Sequence, residues 1–321
     1  MEAVVLAGGY ATRLWPITRH RPKMFLPLGD ETVIDTVLAD LEADDRIESV
    51  YVSTNERFAD AFADFLDGSR FEKPELSVEG TTAEDEKLGV VGALADLVER
   101  EGVTDDLLVV AGDNLISFDL AEFVDFFRET GTATLAAYDV GSRERASSYG
   151  VLDLDGDRVV GFQEKPDEPR STLVSIACYA FPAATLDRFE EYLAADENPD
   201  EPGWFVQWLQ ARRPVHAFTF DGSWFDIGTP ESYLDAVAWA LDGEAHVAPD
   251  ARVAHSTLGP SVQVLDGAEV TDARLERTVV FPDATVSDCA IDGSLVDERV
   301  RVENVDLTGA LVGTDSRIVD D

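Results

Sequence analysis

Short buried strands alternate with amphipathic helices in the first third of the chain. Val4–Ala7 and Leu107–Ala111 are continuous apolar runs that end at glycine, which is typical of buried parallel strands entering a loop. Between them, the apolar residues of Thr32–Leu41 follow helical spacing. The alternation predicts an α/β fold with a doubly wound, mostly parallel, Rossmann-like sheet. In such a sheet, ligands bind beyond the carboxyl ends of the strands.

The middle of the chain carries a hairpin pattern and a helix start. Gly150–Leu154 and Arg158–Phe162 flank an Asp-Gly-Asp turn at 155–157, which predicts two antiparallel strands. Further along, Thr229 and Pro230 predict the beginning of a helix, because threonine caps helix N-termini and proline fits the first helical position.

From about His246 the apolar positions recur at intervals of five or six residues, with small, acidic or glycine residues between them. No helical period is present there, and short strands at such a period predict a left-handed parallel β-helix. A small irregular β-domain is the alternative. The pattern therefore predicts two domains, residues 1–243 and residues 244–321.

The charge balance is strongly acidic: 65 Asp and Glu residues oppose 25 Lys and Arg residues, for a formal net charge of −40. Acids spread along the whole chain indicate a solvated surface. Such a surface repels itself unless salt screens it, and the screening length falls to about 3 Å at molar ionic strength. We therefore expect a halophilic protein of a high-salt cytoplasm. The same charge argues against nucleic acid and anionic membranes as partners.

Two further features concern the compartment. The N-terminus lacks the basic region of a signal peptide, and no apolar run approaches the roughly 18 residues of a membrane span, so we expect a cytoplasmic protein. Cys178 and Cys289 lie in apolar, strand-like runs, where buried free thiols are expected rather than a disulfide.

A glycine pair and two cations follow the first predicted strand. Gly8 and Gly9 allow backbone amides to approach a triphosphate closely, and Arg13 and Lys23 add positive charge for phosphate. The run is not a Walker loop, because no Gly-Lys-Ser/Thr follows, and Ala11 stands where a dinucleotide fingerprint would need glycine.

The run from Leu6 to Leu28 resembles the signature of the sugar-phosphate nucleotidyltransferases, GGxGxRLxPLTxxxPKxxLP, with Ala11 in place of the third glycine. Other landmarks of that family occur downstream in the same order: Leu88–Ala93, Gly112–Asn114, Tyr149–Val151, Glu164–Pro166 and Trp224–Pro230. Together these segments cover residues 1 to about 240, so the resemblance makes residues 1–243 the nucleotidyltransferase domain.

The resemblance implies an enzyme that joins a nucleoside triphosphate to a hexose 1-phosphate with Mg²⁺ and releases pyrophosphate. Catalytic cations would be Arg13, Lys23 and Lys165. Nucleotide-binding residues would be Leu6, Ala7, Gly8, Gly9, Glu84, Gly89 and Asn114. The sugar phosphate would lie at Gly150, Glu164, Lys165 and Ser175, and Mg²⁺ at Asp113 and Asp226. Carboxylates combined with phosphate oxygens are ligands that Mg²⁺ prefers.

Substrate choice depends on two departures from the family pattern. Glu84 stands where many thymidylyl- and uridylyltransferases carry glutamine. A carboxylate only accepts hydrogen bonds, which favours the two neighbouring N–H groups of guanine, unless Glu84 points to solvent. Ser175 and Ala177 lie where the family often has Asn-Ala-Gly, so glucose and mannose both stay open.

Several functions remain as alternatives. A glucose-1-phosphate thymidylyl- or uridylyltransferase type leads, and a mannose-1-phosphate guanylyltransferase is the alternative. A non-catalytic regulatory or scaffold subunit is a third, although the chain keeps both metal aspartates and the cations. The C-terminal domain is expected to mediate homo-oligomerisation; an acyltransferase role for it would need a partner for His255 that the sequence does not show.

Overall fold

The structure is a computed structural model that describes residues 1–9, 11–81 and 88–320. The chain divides into a first unit of residues 1–8 and 37–224 and a second unit of residues 9–36 and 225–321. The second unit thus joins the N-terminal signature segment with the C-terminal strands.

Among the described residues, thirteen strands precede residue 227: β1 Glu2–Leu6, β2 Pro27–Leu28, β3 Glu31–Thr32, β4 Ser49–Asn55, β5 Pro74–Glu79, β6 Leu107–Ala111, β7 Asn114–Ile116, β8 Ala133–Asp139, β9 Gly150–Asp155, β10 Arg158–Glu164, β11 Leu173–Phe181, β12 Val215–Thr219 and β13 Trp224–Asp226. The helices are α1 Val33–Ala43, α2 Ala59–Gly68, α3 Gly89–Glu101, α4 Leu120–Thr130, α5 Arg143–Ala146, α6 Ala183–Ala194, α7 Pro202–Gln210 and α8 Pro230–Ala240, with short 3-10 helices at Thr12–Leu14 and Lys23–Phe25.

A nine-stranded sheet forms the first unit, in the order β5-β4-β1-β6-β11-β8-β12-β10-β9. Strands β5, β4, β1 and β6 are parallel, as are β8 and β12. Strand β11 is antiparallel to both β6 and β8, and the β9–β10 hairpin adds antiparallel strands at one edge. The α/β fold is confirmed, but the sheet is mixed rather than mostly parallel, because a hairpin and β11 bring strands back without a helical crossover.

Local signals located several elements in both units. The buried run Leu107–Ala111 is β6, and the predicted hairpin is β9 and β10. Thr229 caps α8 in a reciprocal capping box with Ser232. A core of apolar residues lies between the sheet and helices α3, α6 and α7.

In the second unit, fourteen short strands lie between residues 246 and 320, the last residue that the structure describes: β14 His246–Val247, β15 Arg252–Ala254, β16 Thr257–Leu258, β17 Gln263–Val264, β18 Glu269–Thr271, β19 Arg274–Glu276, β20 Val279–Val280, β21 Thr285–Ser287, β22 Ala290–Asp292, β23 Leu295–Val296, β24 Arg301–Glu303, β25 Leu307–Thr308, β26 Leu311–Val312 and β27 Arg317–Val319. They stack as three parallel sheets, β14-β17-β20-β23-β26, β15-β18-β21-β24-β27 and β16-β19-β22-β25.

The three sheets repeat with a regular coil. Gln263 pairs with Val279 and Val279 with Leu295, so that one coil of three strands takes 16 residues. The corners adopt left-handed backbone conformations at the same spacing, for example at Gly267, Asp283 and Arg299. Valine, leucine and isoleucine side chains fill the interior. The arrangement is that of a parallel β-helix, and its predicted left hand stays a prediction.

The structure can be compared with two further expectations from the sequence. Within the described residues, no helix combines the length and the apolar character needed to cross a membrane. Cys178 and Cys289 are buried free thiols, as predicted.

Candidate functional site

Hydrogen bonds from neighbouring strands fix the backbone at the carboxyl end of β1. The Ala7 amide donates to the Ser53 carbonyl oxygen over 2.8 Å, and the Asn55 side-chain amide donates to the Gly8 carbonyl oxygen over 2.8 Å. The Gly112 amide donates to the Leu6 carbonyl oxygen over 2.9 Å. The structure therefore places the predicted nucleotide residues Leu6, Ala7 and Gly8 next to the loop that carries Asp113.

A chain of two hydrogen bonds orients Asp113. The Trp224 indole N–H donates to Asn114 Oδ1 over 2.5 Å, and Asn114 Nδ2 donates to Asp113 Oδ1 over 3.0 Å. Trp224 itself is buried and contacts the rings of Tyr138 and Tyr149 edge-on. Asn114, predicted to bind nucleotide, is buried and links Asp113 to Trp224.

The predicted sugar-phosphate residues form a row across three antiparallel strands. Ser175 of β11 is the register partner of Gly150 in β9, and Gly150 is the partner of Glu164 in β10. The next residue, Lys165, donates its amide to the Tyr149 carbonyl oxygen over 3.1 Å. Residues that are up to 25 positions apart along the chain are thus brought together by strand register.

Glu164 occupies a space that two glycines leave open. A Cβ added at Gly203 would lie 1.6 Å from Glu164 Oε2, and one added at Gly150 would lie 3.0 Å from it. Burial raises the pKa of the Glu164 carboxyl to about 7, and repulsion from the Glu201 carboxylate adds to the rise, while Lys165 opposes it. Lys165 forms an ion pair with Glu201.

Lys165 also stands out by its backbone. Its φ is 41°, in the left-handed region that disfavours residues with a Cβ. The strained conformation occurs at a residue predicted to be catalytic, where such strain is often concentrated. Glu201 and Gly203 were not found by sequence reasoning, because no motif links them to β10.

Gly89 begins helix α3 for a steric reason. Its φ is +75°, and a Cβ there would lie 2.5 Å from the Pro199 carbonyl oxygen. The Val91 amide donates to that same oxygen over 2.9 Å. Gly89 therefore allows α3 to pack against the segment that leads to Glu201. Glu84, predicted to read the nucleobase, lies outside the described residues.

In the second unit, Arg13 lies against the turn that follows Asp226. A Cβ added at Gly228 would be 2.9 Å from Arg13 Nη2, and the buried Gly228 donates its amide to the Asp226 carbonyl oxygen over 2.9 Å. Arg13 is exposed, and Asp226 is half-buried. A predicted phosphate-binding cation and a predicted metal ligand are thus neighbours within one unit.

The signature segment keeps the glycine-like conformation despite its alanine. Ala11 has φ 48° and ψ 43°, the left-handed conformation that a glycine would adopt at no steric cost. The Thr18 hydroxyl and the Leu14 amide donate to the Ala11 carbonyl oxygen over 2.8 Å and 3.0 Å. Gly9, before it, is exposed, and Lys23 begins the second 3-10 helix.

Asp113 and Asp226 suit Mg²⁺ by donor chemistry. Both are half-buried carboxylates at strand ends, and Mg²⁺ prefers one or two carboxylates completed by phosphate oxygens and water. Residues 1–9, 11–81 and 88–320 contain no cluster of three or more His, Cys, Asp or Glu side chains able to hold a metal. Each aspartate, taken by itself, offers the carboxylate oxygens that such an ion accepts alongside phosphate and water.

Comparison with known proteins identifies relatives. A family model described as nucleotidyl transferase matches residues 2–243. A protein of Sulfolobus acidocaldarius assigned as a mannose-1-phosphate guanyltransferase is 32% identical over 73% of this chain and 61% of its own length. Mannose-1-phosphate guanylyltransferase of Mycobacterium tuberculosis is 30% identical over 94% of this chain and 81% of its own length.

The fold has a solved counterpart. A Bacillus anthracis protein assigned as a glucose-1-phosphate thymidylyltransferase, crystallised with sucrose, matches with a TM-score of 0.66 and 25% identity, over 75% of this chain and 96% of its own. The chain spans somewhat less than two thirds of some curated relatives, 61% of the Sulfolobus protein and 64% of a uridylyltransferase of Synechocystis.

Proposed function

Because the chain belongs to the nucleotidyl transferase family, we propose that it forms a nucleoside diphosphate sugar and pyrophosphate from a nucleoside triphosphate and a hexose 1-phosphate. An oxygen of the sugar phosphate attacks the α-phosphorus, a new P–O bond forms, and the bond from the α-phosphorus to the bridging oxygen breaks. The observation that carries the proposal is the row formed by Ser175, Gly150, Glu164 and Lys165 on neighbouring strands. Tyr149, next to that row, contacts Trp224, which supports the Asp113 loop through Asn114.

The reaction brings two anions together, so catalysis consists mainly of positioning and charge neutralisation. Lys165 would bind the sugar phosphate and Glu164 the sugar hydroxyls. Lys23 would neutralise charge around the α-phosphate and Arg13 that of the departing pyrophosphate. Asp113 and Asp226 would hold Mg²⁺, which supplies charge stabilisation for the phosphates when bound.

The relatives described above fall into two substrate classes. They are guanylyltransferases acting on mannose 1-phosphate, and uridylyl- and thymidylyltransferases acting on glucose 1-phosphate. We propose the glucose-1-phosphate type first. The guanylyltransferase type is the second candidate, because the two relatives that are 32% and 30% identical to this chain carry that name.

The test is pyrophosphate release measured for each of five nucleoside triphosphates with glucose 1-phosphate and mannose 1-phosphate, with Mg²⁺ and over KCl from low to molar concentration. We expect one pair to be turned over well above the others, and turnover to require Mg²⁺. On the basis of the net charge of −40 we place the protein in a high-salt cytoplasm, so activity should rise with KCl. Absence of pyrophosphate with every pair at every salt concentration would contradict the proposal.

A further inference from the structure

Arg21, two residues before Lys23, is tied to the β-helix by a buried carboxylate. Arg21 Nη2 lies 2.6 Å from Asp297 Oδ1, and the Asp297 side chain is only 1% exposed. The other carboxylate oxygen of Asp297 accepts a hydrogen bond of 2.6 Å from the Thr314 hydroxyl. The guanidinium also lies 2.9 Å from Glu298 Oε1 and stacks on the ring of Phe281.

The segment after Lys23 is held at its other end by two further residues of the second unit. Gln263 of β17 is fully buried. Its Oε1 accepts a hydrogen bond of 2.5 Å from the Gly29 amide, and its Nε2 donates one of 3.2 Å to the Pro27 carbonyl oxygen. The Tyr233 hydroxyl of α8 donates to the same carbonyl oxygen over 2.8 Å. Lys23 therefore lies between two anchored points.

The backbone between the anchors is stiff. Pro22 has a ring-fixed φ of −58°, and Lys23–Phe25 form a 3-10 turn in which the Phe25 amide donates to Pro22 and the Leu26 amide to Lys23. Met24 and Leu26 are buried on one side of this turn. Because few torsions are free, a shift of Arg21 is passed on to Lys23.

A buried carboxylate is costly unless it is paired and fully hydrogen-bonded, and Asp297 meets that condition through Arg21 and Thr314. Arginine suits the position, since its planar guanidinium bonds two carboxylates and stacks on an aromatic ring at once. We propose that Asp297 is a positioning residue for the transfer reaction: acting through Arg21, it sets the place of Lys23, so the β-helix supports the reaction itself. The inference rests on the proposed function.

The experiment compares the full-length Asp297→Asn variant with wild type in steady-state pyrophosphate release, at a temperature well below both melting temperatures. Misplacement of a charged group by about 1 Å can cost up to about 100-fold in rate. We expect kcat to fall about tenfold or more, while KM for the hexose 1-phosphate stays within about twofold, since that substrate's proposed residues lie on the β9–β11 row. Asp315→Asn, which removes the exposed partner of Arg299, is the matched control and should leave kcat unchanged.

Arg21→Lys provides a milder second variant, in case Asp297→Asn does not fold. It keeps the positive charge but gives up the double carboxylate contact and the ring stacking, so we expect a folded protein with kcat lowered several-fold. Wild-type kcat per folded molecule in whichever of these variants folds would overturn the inference, and would assign the contact to stability alone. A wild-type protein inactive on every substrate pair would instead overturn the proposed function, and this inference with it.

Discussion

The two units position their candidate residues by different means. In the first unit, Ser175, Gly150 and Glu164 are aligned by backbone hydrogen bonds of a sheet. In the second, Lys23 lies in a segment that forms two short 3-10 helices and a hairpin whose strands, β2 and β3, have two residues each. Its place depends on side chains more than 200 positions away, such as Tyr233 and Gln263. A site built on strand register resists single substitutions, whereas one built on side-chain anchors depends on each of them.

The largest effect should come from the two carboxylates, one in each unit. Asp113→Ala or Asp226→Ala should lower kcat by about 10³-fold or more, because charge stabilisation at the phosphates would be lost. Melting temperatures should stay close to that of wild type. Asp64→Ala, at an exposed position of α2, is the control. Near-normal turnover in either variant would remove that aspartate from the proposed metal site.

A change of one methyl group should displace the Glu164 side chain, which the strand register does not fix. Gly203→Ala places a Cβ 1.6 Å from Glu164 Oε2, so the carboxylate must move out of its space. Overpacking of this kind costs about 1–3 kcal/mol, and we expect KM for the hexose 1-phosphate to rise about tenfold. Gly68→Ala, where a Cβ meets no atom within 4 Å, is the matched control. An unchanged KM would show that Glu164 does not contact the sugar.

The raised pKa of Glu164 should appear in the pH dependence of stability. A carboxyl whose pKa rises from 4.5 to about 7 on folding binds a proton more tightly in the folded state. Its contribution is therefore fully present below about pH 4.5 and is lost as pH rises through about 7. Denaturant unfolding of wild type and Glu164→Gln across this range should show a flatter dependence for the variant. Comparing the two cancels the contribution of Asp40, whose pKa burial raises to about 6. Parallel pH curves would contradict the assignment.

The smallest effect concerns the departure in the signature segment. The left-handed conformation of Ala11 costs an alanine roughly 1–2 kcal/mol, and glycine adopts it without that cost. Because glycine is more flexible in the unfolded chain, Ala11→Gly also loses about 0.5–1 kcal/mol of stability. We expect unfolding free energy to rise by about 0.5–1 kcal/mol in chemical denaturation. The helical Ala61→Gly should lower it by about 1 kcal/mol. A loss of stability in Ala11→Gly would show that the alanine methyl group contributes packing.

Sequence patterns predicted what is encoded locally. The buried run of β6, the turn between β9 and β10 and the Thr229 cap each depend on a few adjacent residues. Strands β5 and β8 and helix α4 were not assigned, and the antiparallel placement of β11 was missed, because strand partners are chosen by tertiary packing.

In the candidate site, too, residues within a motif were found from the sequence and their long-range partners were not. The motif residues Glu164 and Lys165 were found from the sequence, but Glu201 and Gly203 were not, since their link to β10 exists only in the folded chain. Arg21 belongs to the signature segment, yet its partner Asp297 is 276 positions away. Other aspartates of the same repeat, such as Asp283 and Asp315, are exposed, so the sequence did not single out Asp297. Long-range side-chain pairs of this kind leave no local pattern.

The most direct test of the division between the two units is the initial rate of pyrophosphate release measured against hexose 1-phosphate concentration, side by side for wild type, Gly203→Ala and Asp297→Asn. The prediction is that Gly203→Ala raises KM with little change in kcat and that Asp297→Asn lowers kcat with little change in KM. The same pattern of change in both variants, or wild-type kinetics in both, would contradict it.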